Sequence, residues 1–251
     1  MNIVNVKNIS KSYQHFKLDH FSIQLKEGTL FGILGPNGSG KSTIVKILTG
    51  QLKPDEGEIE ILSTNPTKNP IQTKEIIGIV PEQETPPSFL SVREYLEFVC
   101  KVRKISKSKI EYFLDLLELR EDEHSLIKNL SRGNKQKVLL TQAFIHEPKV
   151  VFIDEPLINL DPLIQRKIKQ FLVEYVERGN TIILSTHILS IAQEICTDIC
   201  ILRYGKNKYQ GSMRDILSKH NSLEDYFISV IENSKNKLNH KKSNAKSHKK
   251  G

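Results

Sequence analysis

The stretch GPNGSGKST at residues 35–43 constrains the fold more than any other part of the chain. It follows the continuous apolar run TLFGILG and leads into TIVKILTG, which has one apolar helical face and a glycine placed to end a helix. The spacing G-x-x-x-x-G-K-[ST] between a buried strand and a helix is typical of a loop whose backbone N–H groups surround phosphates. The loop consists of Gly35, Pro36, Asn37, Gly38, Ser39, Gly40, Lys41, Ser42 and Thr43.

The residue types in this loop have separate chemical tasks. Its glycines let the backbone wrap closely around an anion, and the helix that follows adds its N-terminal dipole. Lys41 supplies a positive charge for the β- and γ-phosphates, and Ser42 supplies a hydroxyl for Mg²⁺. A purely structural glycine-rich turn is the alternative, and the strand before the loop and the helix after it favour nucleotide binding.

Polar residues end two later apolar runs. VVFIDE (150–155) places Asp154 at the carboxyl end of a strand, where ligands bind in open α/β sheets. There Asp154 would hold Mg²⁺ through water, and Glu155 would accept a proton from the attacking water or orient it. The alternative is a strand that ends in a solvated acidic turn. TIILSTH ends in His187, which would reach the γ-phosphate only if its strand lies beside that of Asp154.

The alternation of apolar runs and helical patterns predicts an α/β core with a parallel sheet and crossover helices. Residues 2–30 read as short strands joined by turns, and residues 63–75 read as a loop with two prolines. From about 88 to 146 the pattern is helical, with Ser91 as an N-cap, Glu94 at the capping-box position and another helix starting at Ser131. A closing hairpin and a final amphipathic helix follow, over ICILRYGKNKYQG and SLEDYFISVIE.

The net charge of +8 is concentrated in the last nineteen residues. Residues 233–251 hold seven lysines and no acid, and subtracting them from the total leaves +1 for residues 1–232. Such a segment cannot bury enough apolar surface to fold, so we expect a basic, disordered tail suited to anionic lipid or RNA. A merely solubilising role is the alternative. The chain shows no apolar run near the roughly 18–20 residues that a membrane span needs, and no secretory signal.

The three cysteines, Cys100, Cys196 and Cys200, lack metal-ligand spacing. Cys196 and Cys200 are four residues apart and would share one face of a helix with neighbouring isoleucines. Reduced thiols in an apolar core are favoured over metal ligands, which indicates a cytosolic protein.

Five motifs in one order resemble those of the ATP-binding subunits of ABC transporters, over about residues 2–228. They are the phosphate loop, LSRGNKQK (130–137), FIDEP (152–156), NLDP (159–162) and STH (185–187). The resemblance implies a P-loop NTPase with a RecA-like core, an N-terminal antiparallel β subdomain and a helical insert at about 88–146. It implies one ATP-binding domain over 1–232, with ATP and Mg²⁺ as its ligands.

The resemblance also implies roles that the spacing does not show. Tyr13 matches an aromatic that stacks on adenine, Glu155 the catalytic glutamate and His187 a switch histidine. Ser131 and Gly133 match a signature motif that contacts the γ-phosphate held by another subunit, and Asp161 matches a loop that links the two sites. The helices at 88–128 match the subdomain that meets a polytopic membrane subunit.

The chain departs from the family pattern in three places. Arg132 and Asn134 stand where the signature commonly has Gly and Gln. Glu82 stands where a Mg²⁺-contacting glutamine is common and Gln83 follows it, so either residue could serve the metal. Leu157, Ile158 and Asn159 replace the usual Thr-Asn-Gly, and Asn159 could preserve the loop because asparagine tolerates left-handed backbone.

These features together predict an ATPase that pairs with a second copy or a homologous subunit around two MgATP. It would drive a permease from the cytoplasmic face of the membrane. The stretch IIGIVPEQETPPSFLSVREYLEF is similar to exporters of drugs and antibiotics, so export is favoured.

A non-transport ATPase acting on nucleic acid or the ribosome is the alternative. It is disfavoured because neither a long coiled coil nor a second ATPase domain is present. A P-loop GTPase or a small-molecule kinase is a third class, and a GTPase would need a guanine-reading Asn-Lys-x-Asp, which the chain lacks.

Overall fold

The computed structural model describes residues 2–82, 86–157 and 160–232. The strands are β1 (Asn2–Ser12), β2 (Lys17–Lys26), β3 (Leu30–Leu34), β4 (Glu56–Ile61), β5 (Ile77–Val80), β6 (Val150–Asp154), β7 (Thr181–Thr186), β8 (Asp198–Arg203) and β9 (Lys206–Ser212). The helices are α1 (Lys41–Leu48), α2 (Pro70–Ile76), α3 (Val92–Arg103), α4 (Ser108–Leu116), α5 (Arg132–Phe144), α6 (Pro162–Glu177), α7 (Leu189–Ile195) and α8 (Met213–Leu217), with a 3-10 turn at Ile127–Asn129. Residues 223–232 are also helical.

The larger sheet has six strands in the order β5-β6-β7-β3-β8-β9, parallel except for β9. Every residue of β3, β6 and β7 is buried, which explains why these segments read as continuous apolar runs. β7 lies directly between β6 and β3, and Asp154 pairs with Ser185. The parallel core is therefore confirmed, and so is the placement of the His187 strand beside the Asp154 strand.

The smaller sheet is antiparallel, with the order β2-β1-β4. Its buried residues, among them Val6, Ile9 and Phe21, form one core cluster with Ile44 of α1 and Phe152 of β6. The sheet thus covers α1 and one face of the parallel sheet, and the predicted N-terminal antiparallel subdomain is confirmed. A closing hairpin of β8 and β9 is also as expected.

A helical insert of α3, α4 and α5 separates β5 from β6 along the chain. The capping box at its start is present, since Ser91 Oγ accepts from Glu94 N at 3.3 Å and Glu94 Oε2 accepts from Ser91 N at 2.8 Å. α5 begins directly after Ser131, whose hydroxyl accepts from Asn134 N at 3.1 Å. Both helix starts lie where their side-chain caps predict them.

Two sequence expectations need correction, and one strand was missed. The prediction of a loop over 63–75 is wrong in part, because α2 begins at Pro70, where a first-turn proline needs no N–H partner. The strand β5 was not expected. Cys196 and Cys200 do not share a helix, since Cys196 follows α7 and Cys200 lies in β8. Both thiols are buried and free, and burial raises their pKa well above the usual range.

Within residues 2–82, 86–157 and 160–232, every helix is too short or too polar to cross a membrane. The lysine-rich segment 233–251 lies outside the described residues, so its expected disorder and lipid contact stay predictions. The boundary between a folded domain at 1–232 and this tail likewise stays a prediction.

Candidate functional site

A cleft of about 510 Å³ opens at the carboxyl end of β3. It is lined by Tyr13, Phe16, Asn37, Gly38, Ser39, Gly40, Lys41, Ser42, Thr43, Glu82 and Glu155. Most of the loop predicted from the sequence therefore faces this cleft, together with two acids, Glu82 after β5 and Glu155 after β6. Gly35 and Pro36 do not line it; Gly35 lies buried at the start of the loop, where β3 ends.

The loop conformation depends on glycine at two positions. Gly40 has φ of 110°, and a Cβ there would lie 2.7 Å from Cζ of Phe16. A Cβ on Gly35 would lie 2.5 Å from the carbonyl oxygen of Leu202 in β8. Side chains at these positions would force the loop away from the aromatic ring on one side and from the sheet on the other.

Lys41 is the first residue of α1 and is buried beneath the loop. Its Nζ donates to the carbonyl oxygen of Gly35 at 2.9 Å, so the ammonium lies inside the curve of the loop. The first turn of α1 contains no acidic residue. The N-terminal end of the helix thus combines a positive dipole with a fixed cation and suits a phosphate group.

Two aromatic rings border the open side of the cleft. Tyr13 is 49% exposed, and its ring centroid lies 6.2 Å from that of Phe16. Tyr13 was predicted as a base-stacking residue, whereas Phe16 was not. The signal available in the sequence was a second aromatic three residues after Tyr13 in an otherwise polar turn. Exposed aromatic faces of this kind offer stacking area for a planar base.

Glu155 follows β6 and is held by the neighbouring strand β7. Its Oε1 accepts from His187 N at 3.0 Å and lies 2.7 Å from His187 Nδ1. Its Oε2 accepts from the hydroxyl of Thr186 at 3.0 Å, and its own N–H donates to Ser185 O at 2.9 Å. An ionised carboxylate only accepts, so Nδ1 of His187 carries the proton in this arrangement.

The backbone at Glu155 is in a left-handed conformation with φ of 52°, which is uncommon for a residue other than glycine. Such a conformation costs on the order of 1–3 kcal/mol and persists where surrounding contacts enforce it. Here these contacts come from residues at the end of β7, so the neighbouring strand fixes the orientation of the Glu155 carboxylate.

Two buried oxygen atoms near the loop are suited to hold a cation or water. Among the described residues, neither Asp154 Oδ1 nor Ser39 Oγ has a hydrogen-bond partner. The orphaned carboxylate oxygen at the carboxyl end of β6 and the Ser42 hydroxyl that lines the cleft are both oxygen groups of the kind that Mg²⁺ prefers, and Mg²⁺ usually keeps several waters. Within the described ranges no group of three or more His, Cys, Asp or Glu could hold a metal alone, so phosphate oxygens and water would complete the shell.

Of the two candidate residues for the metal, Glu82 and Gln83, the exposed Glu82 lines the cleft. Gln83 lies outside the described residues, as do Ile158 and Asn159. The assignments of Ser42, Asp154 and either Glu82 or Gln83 to the metal remain predictions.

The signature and linking residues do not reach this cleft in the same chain. Ser131 and Asp161 are exposed and serve as N-caps, with Asp161 Oδ1 accepting from Ile164 N at 3.0 Å. Gly133 lies in the first turn of α5. None of the three lines the cleft around the phosphate loop.

The ABC transporter family profile matches residues 18–158. The chain therefore belongs to this family, as an ATP-binding subunit with a P-loop NTPase fold and ATPase activity. The resemblance read from the five motifs is confirmed.

Curated relatives carry differing names. The chain is 35% identical over 227 residues to an uncharacterized ABC transporter ATP-binding protein of Methanocaldococcus jannaschii, covering 88% of this chain and 82% of the relative. It is 35% identical to a probable sulfate/thiosulfate import ATP-binding protein of Chlorella vulgaris, covering 86% and 93%. It is 32% identical to a Nod factor export ATP-binding protein of Rhizobium sp. strain N33, covering 86% and 73%. The chain spans 66% of the length of another relative, from Synechocystis.

Solved structures agree with the fold. An ATP-binding subunit of an ABC transporter superimposes with a TM-score of 0.84 at 28% identity, covering 91% of this chain and 99% of that one. An ATP-binding cassette dimer in a post-hydrolysis state, bound to ADP and Pi, gives a TM-score of 0.77 at 27% identity, covering 84% and 99%.

Proposed function

We propose that this chain powers transport across a membrane by closing head to tail with a second copy, or with a homologous subunit, around two MgATP. The observation that carries the proposal is the position of Ser131 and Gly133. They form an exposed helix start that is absent from the lining of the chain's own cleft. A hydroxyl and free N–H groups at a helix N-terminus suit an anion presented by another molecule. A related cassette has been solved as a dimer with ADP and Pi.

Each site would then use groups from both subunits. Lys41 and the loop N–H groups bind the phosphates of one nucleotide, and Ser131 and Gly133 of the partner copy face its γ-phosphate. Asp161, beside the paired surface, would link one site to the other. Mg²⁺, when bound by Ser42 and Asp154, supplies positive charge against the phosphate oxygens.

Hydrolysis would depend on Glu155 and His187. The Glu155 carboxylate orients the attacking water and accepts its proton. His187 and Thr186 hold that carboxylate at 2.7 and 3.0 Å. The imidazole is 47% exposed and contacts Glu155 through Nδ1, so its Nε2 would be available to a phosphate oxygen when the pair closes.

The membrane partner would be a separate polytopic subunit, which would place the chain peripherally on the cytoplasmic face. Large apolar side chains on and before α3 are exposed, including Phe89, Phe98 and Val102, at 76%, 55% and 62%. They suit burial against a partner. We propose export because residues 76–98 are similar to exporters and a Nod factor export protein is among the relatives. The relative named as an importer shows that names alone leave the direction open.

Glu155→Gln tests the assignment of the base. We expect turnover to fall by about 100-fold or more, because the amide cannot accept a proton. ATP-dependent dimerisation, measured by light scattering, should survive, because Lys41 and Ser131 are untouched. Hydrolysis at the parent rate in this variant would remove Glu155 from the role of general base.

The lysine-rich segment 233–251 supports a second candidate, a non-transport ATPase that acts on nucleic acid or the ribosome. Binding to RNA that weakens steeply with salt and disappears when these residues are replaced by a neutral segment would favour it. Membrane association that requires a polytopic partner would favour transport.

A further inference from the structure

Asn134, one of the departures from the family signature, makes a contact outside the nucleotide cleft. Its Nδ2 donates to Oδ2 of Asp122 at 2.5 Å, across twelve residues of sequence. Its backbone N–H donates to Ser131 Oγ at 3.1 Å. One residue therefore joins the hydroxyl that caps α5 to the 118–126 loop that precedes it.

The 118–126 loop is fixed on its other side to the start of α3. The first N–H groups of that helix, from Val92 and Arg93, donate to Ser125 O at 3.2 Å and Glu123 O at 2.8 Å. The loop also closes on itself, with Ser125 N donating to Asp122 O at 2.9 Å. Helix-start N–H groups need such acceptors, so the loop is part of the α3 start and not a free connection.

Side-chain ion pairs strengthen the same junction. Arg93 donates from Nε to Glu123 Oε2 at 3.1 Å and from Nη1 to Glu111 Oε1 at 2.9 Å. Arg93 is one-quarter exposed and Glu123 less than that, so solvent screens this pair only in part. Glu111 also accepts from Arg120, which lies in the same loop region. The loop backbone at Asp122 is thereby held rigidly against α3 and α4.

We propose that Asp122 and Asn134 are positioning residues for hydrolysis: their contact sets the direction of the Ser131–Gly133 turn relative to α3 and α4. The proposal rests on the proposed function, in which that turn completes the site of the partner copy. Displacements near 1 Å in a reacting geometry can lower a rate by about 100-fold, so one contact at this place is enough to matter. The Asn134 amide points at Asp122 and does not itself need to touch the nucleotide.

The experiment compares five variants of the full chain: Asp122→Ala, Asn134→Ala, the double alanine variant, Asp122→Asn and Asn129→Ala. ATP turnover, the Kd of the single subunit for a fluorescent ATP analogue, and Tm are measured for each. We expect either single alanine change to lower kcat about tenfold, the size of one hydrogen bond to a charged group. The Kd should stay unchanged, because the phosphate loop is untouched.

The double variant should be no slower than the slower single variant, because both remove one contact. Asp122→Asn should have higher turnover than Asp122→Ala, close to that of the parent chain, because its amide oxygen still accepts from Asn134. The exposed Asn129, which is the last residue of the 3-10 turn and lies two residues before Ser131, should tolerate alanine. Full turnover in either alanine variant, effects that multiply in the double variant, or no rescue by Asp122→Asn would each overturn the proposal.

Ser131→Arg separates this proposal from the proposed function. We expect it to remove hydrolysis while the subunit still binds ATP, because an arginine would block the turn against the partner copy. If Ser131→Arg hydrolyses ATP at the parent rate, the shared site itself is wrong. If Ser131→Arg is inactive but Asn134→Ala is fully active, only the positioning role is wrong.

Discussion

Glu155 shows how one residue obtains its geometry from a neighbouring strand. The residue follows Asp154 in the chain, yet its carboxylate is fixed by Thr186 and His187, more than thirty residues away. Its left-handed backbone would be strained in isolation, and the hydrogen bonds from β7 compensate for that strain. The orientation of the Glu155 carboxylate, the proposed general base, therefore depends on Thr186 as much as on the place of Glu155 in the chain.

Thr186→Val tests this dependence by removing a single hydroxyl group. Valine keeps the shape of threonine but cannot donate to Glu155 Oε2 or accept from Ile188 N. We expect kcat to fall about tenfold while ATP affinity is retained. Thr181→Val is the matched control, because Thr181 is buried at the other end of β7 and donates to Lys26 O. Equal turnover in the two variants would contradict the role given to Thr186.

The turn between β8 and β9 links two elements that are far apart in the chain. Gly205 N donates to Ser39 O of the phosphate loop at 3.1 Å. Arg203 is buried, donates from Nη1 to Ile231 O and lies 4.9 Å from the centroid of the Tyr204 ring. Gly205 in the turn thus contacts the phosphate loop, and Arg203 at the end of β8 contacts the helical residues 223–232.

Arg203→Met should loosen the attachment of residues 223–232. Methionine fills much of the volume but leaves Ile231 O without its charged donor, so local opening becomes easier. We expect hydrogen exchange in 223–232 to speed up about tenfold. The exposed Arg214, changed in the same way, should have no such effect. Unchanged exchange in the Arg203 variant would show that other contacts hold this helix.

At the scale of the whole molecule, the six-stranded sheet separates two apolar cores. One core joins the smaller sheet and α1 to one face of the parallel strands, and the other joins the helical insert, α6 and α7 to the opposite face. His146 lies at the sheet edge, with Nε2 at 3.1 Å from Ile77 O of β5. Its Nδ1 is buried and has no partner among the described residues, so a charged imidazole would be unfavourable there.

Burial, followed by the nearby charge of Arg103, lowers the pKa of His146 to about 4. The unfolded chain, with a pKa of about 6.5, binds more protons than the folded one between these values. The free energy of unfolding should therefore fall as pH drops from 6.5 towards 4, by about 2 kcal/mol at pH 5. His146→Gln keeps a donor for Ile77 O but should lose this part of the pH dependence.

Urea unfolding at pH 7 and pH 5 measures the effect. The parent chain should lose more stability than the His146 variant over this interval. His15→Gln, at an exposed position, should behave like the parent. An identical loss in the parent and the His146 variant would show that other groups cause it.

Short-range patterns account for much of what could be predicted. The phosphate loop, the buried strands, the capping box at Ser91 and the start of α5 each depend on residues within a few positions of one another. Local sterics, capping hydrogen bonds and the period of apolar residues fix such features. The same local reasoning failed at Pro70, where proline starts a helix, and at β5, whose four residues are too few to carry a period.

Contacts between distant segments could be decided only by the tertiary structure. Three such contacts produce no recognisable spacing pattern in the sequence. They are the hydrogen bond from Thr186 to Glu155, the packing of Phe16 against Gly40 and the hydrogen bond from Asn134 to Asp122. The sequence by itself determined the α/β class, the phosphate loop and the identity of the reactive side chains, because these depend on neighbours in the chain. The tertiary structure decided how those side chains are aimed, because the order of strands in a sheet and the closure of long loops depend on the burial of the whole core.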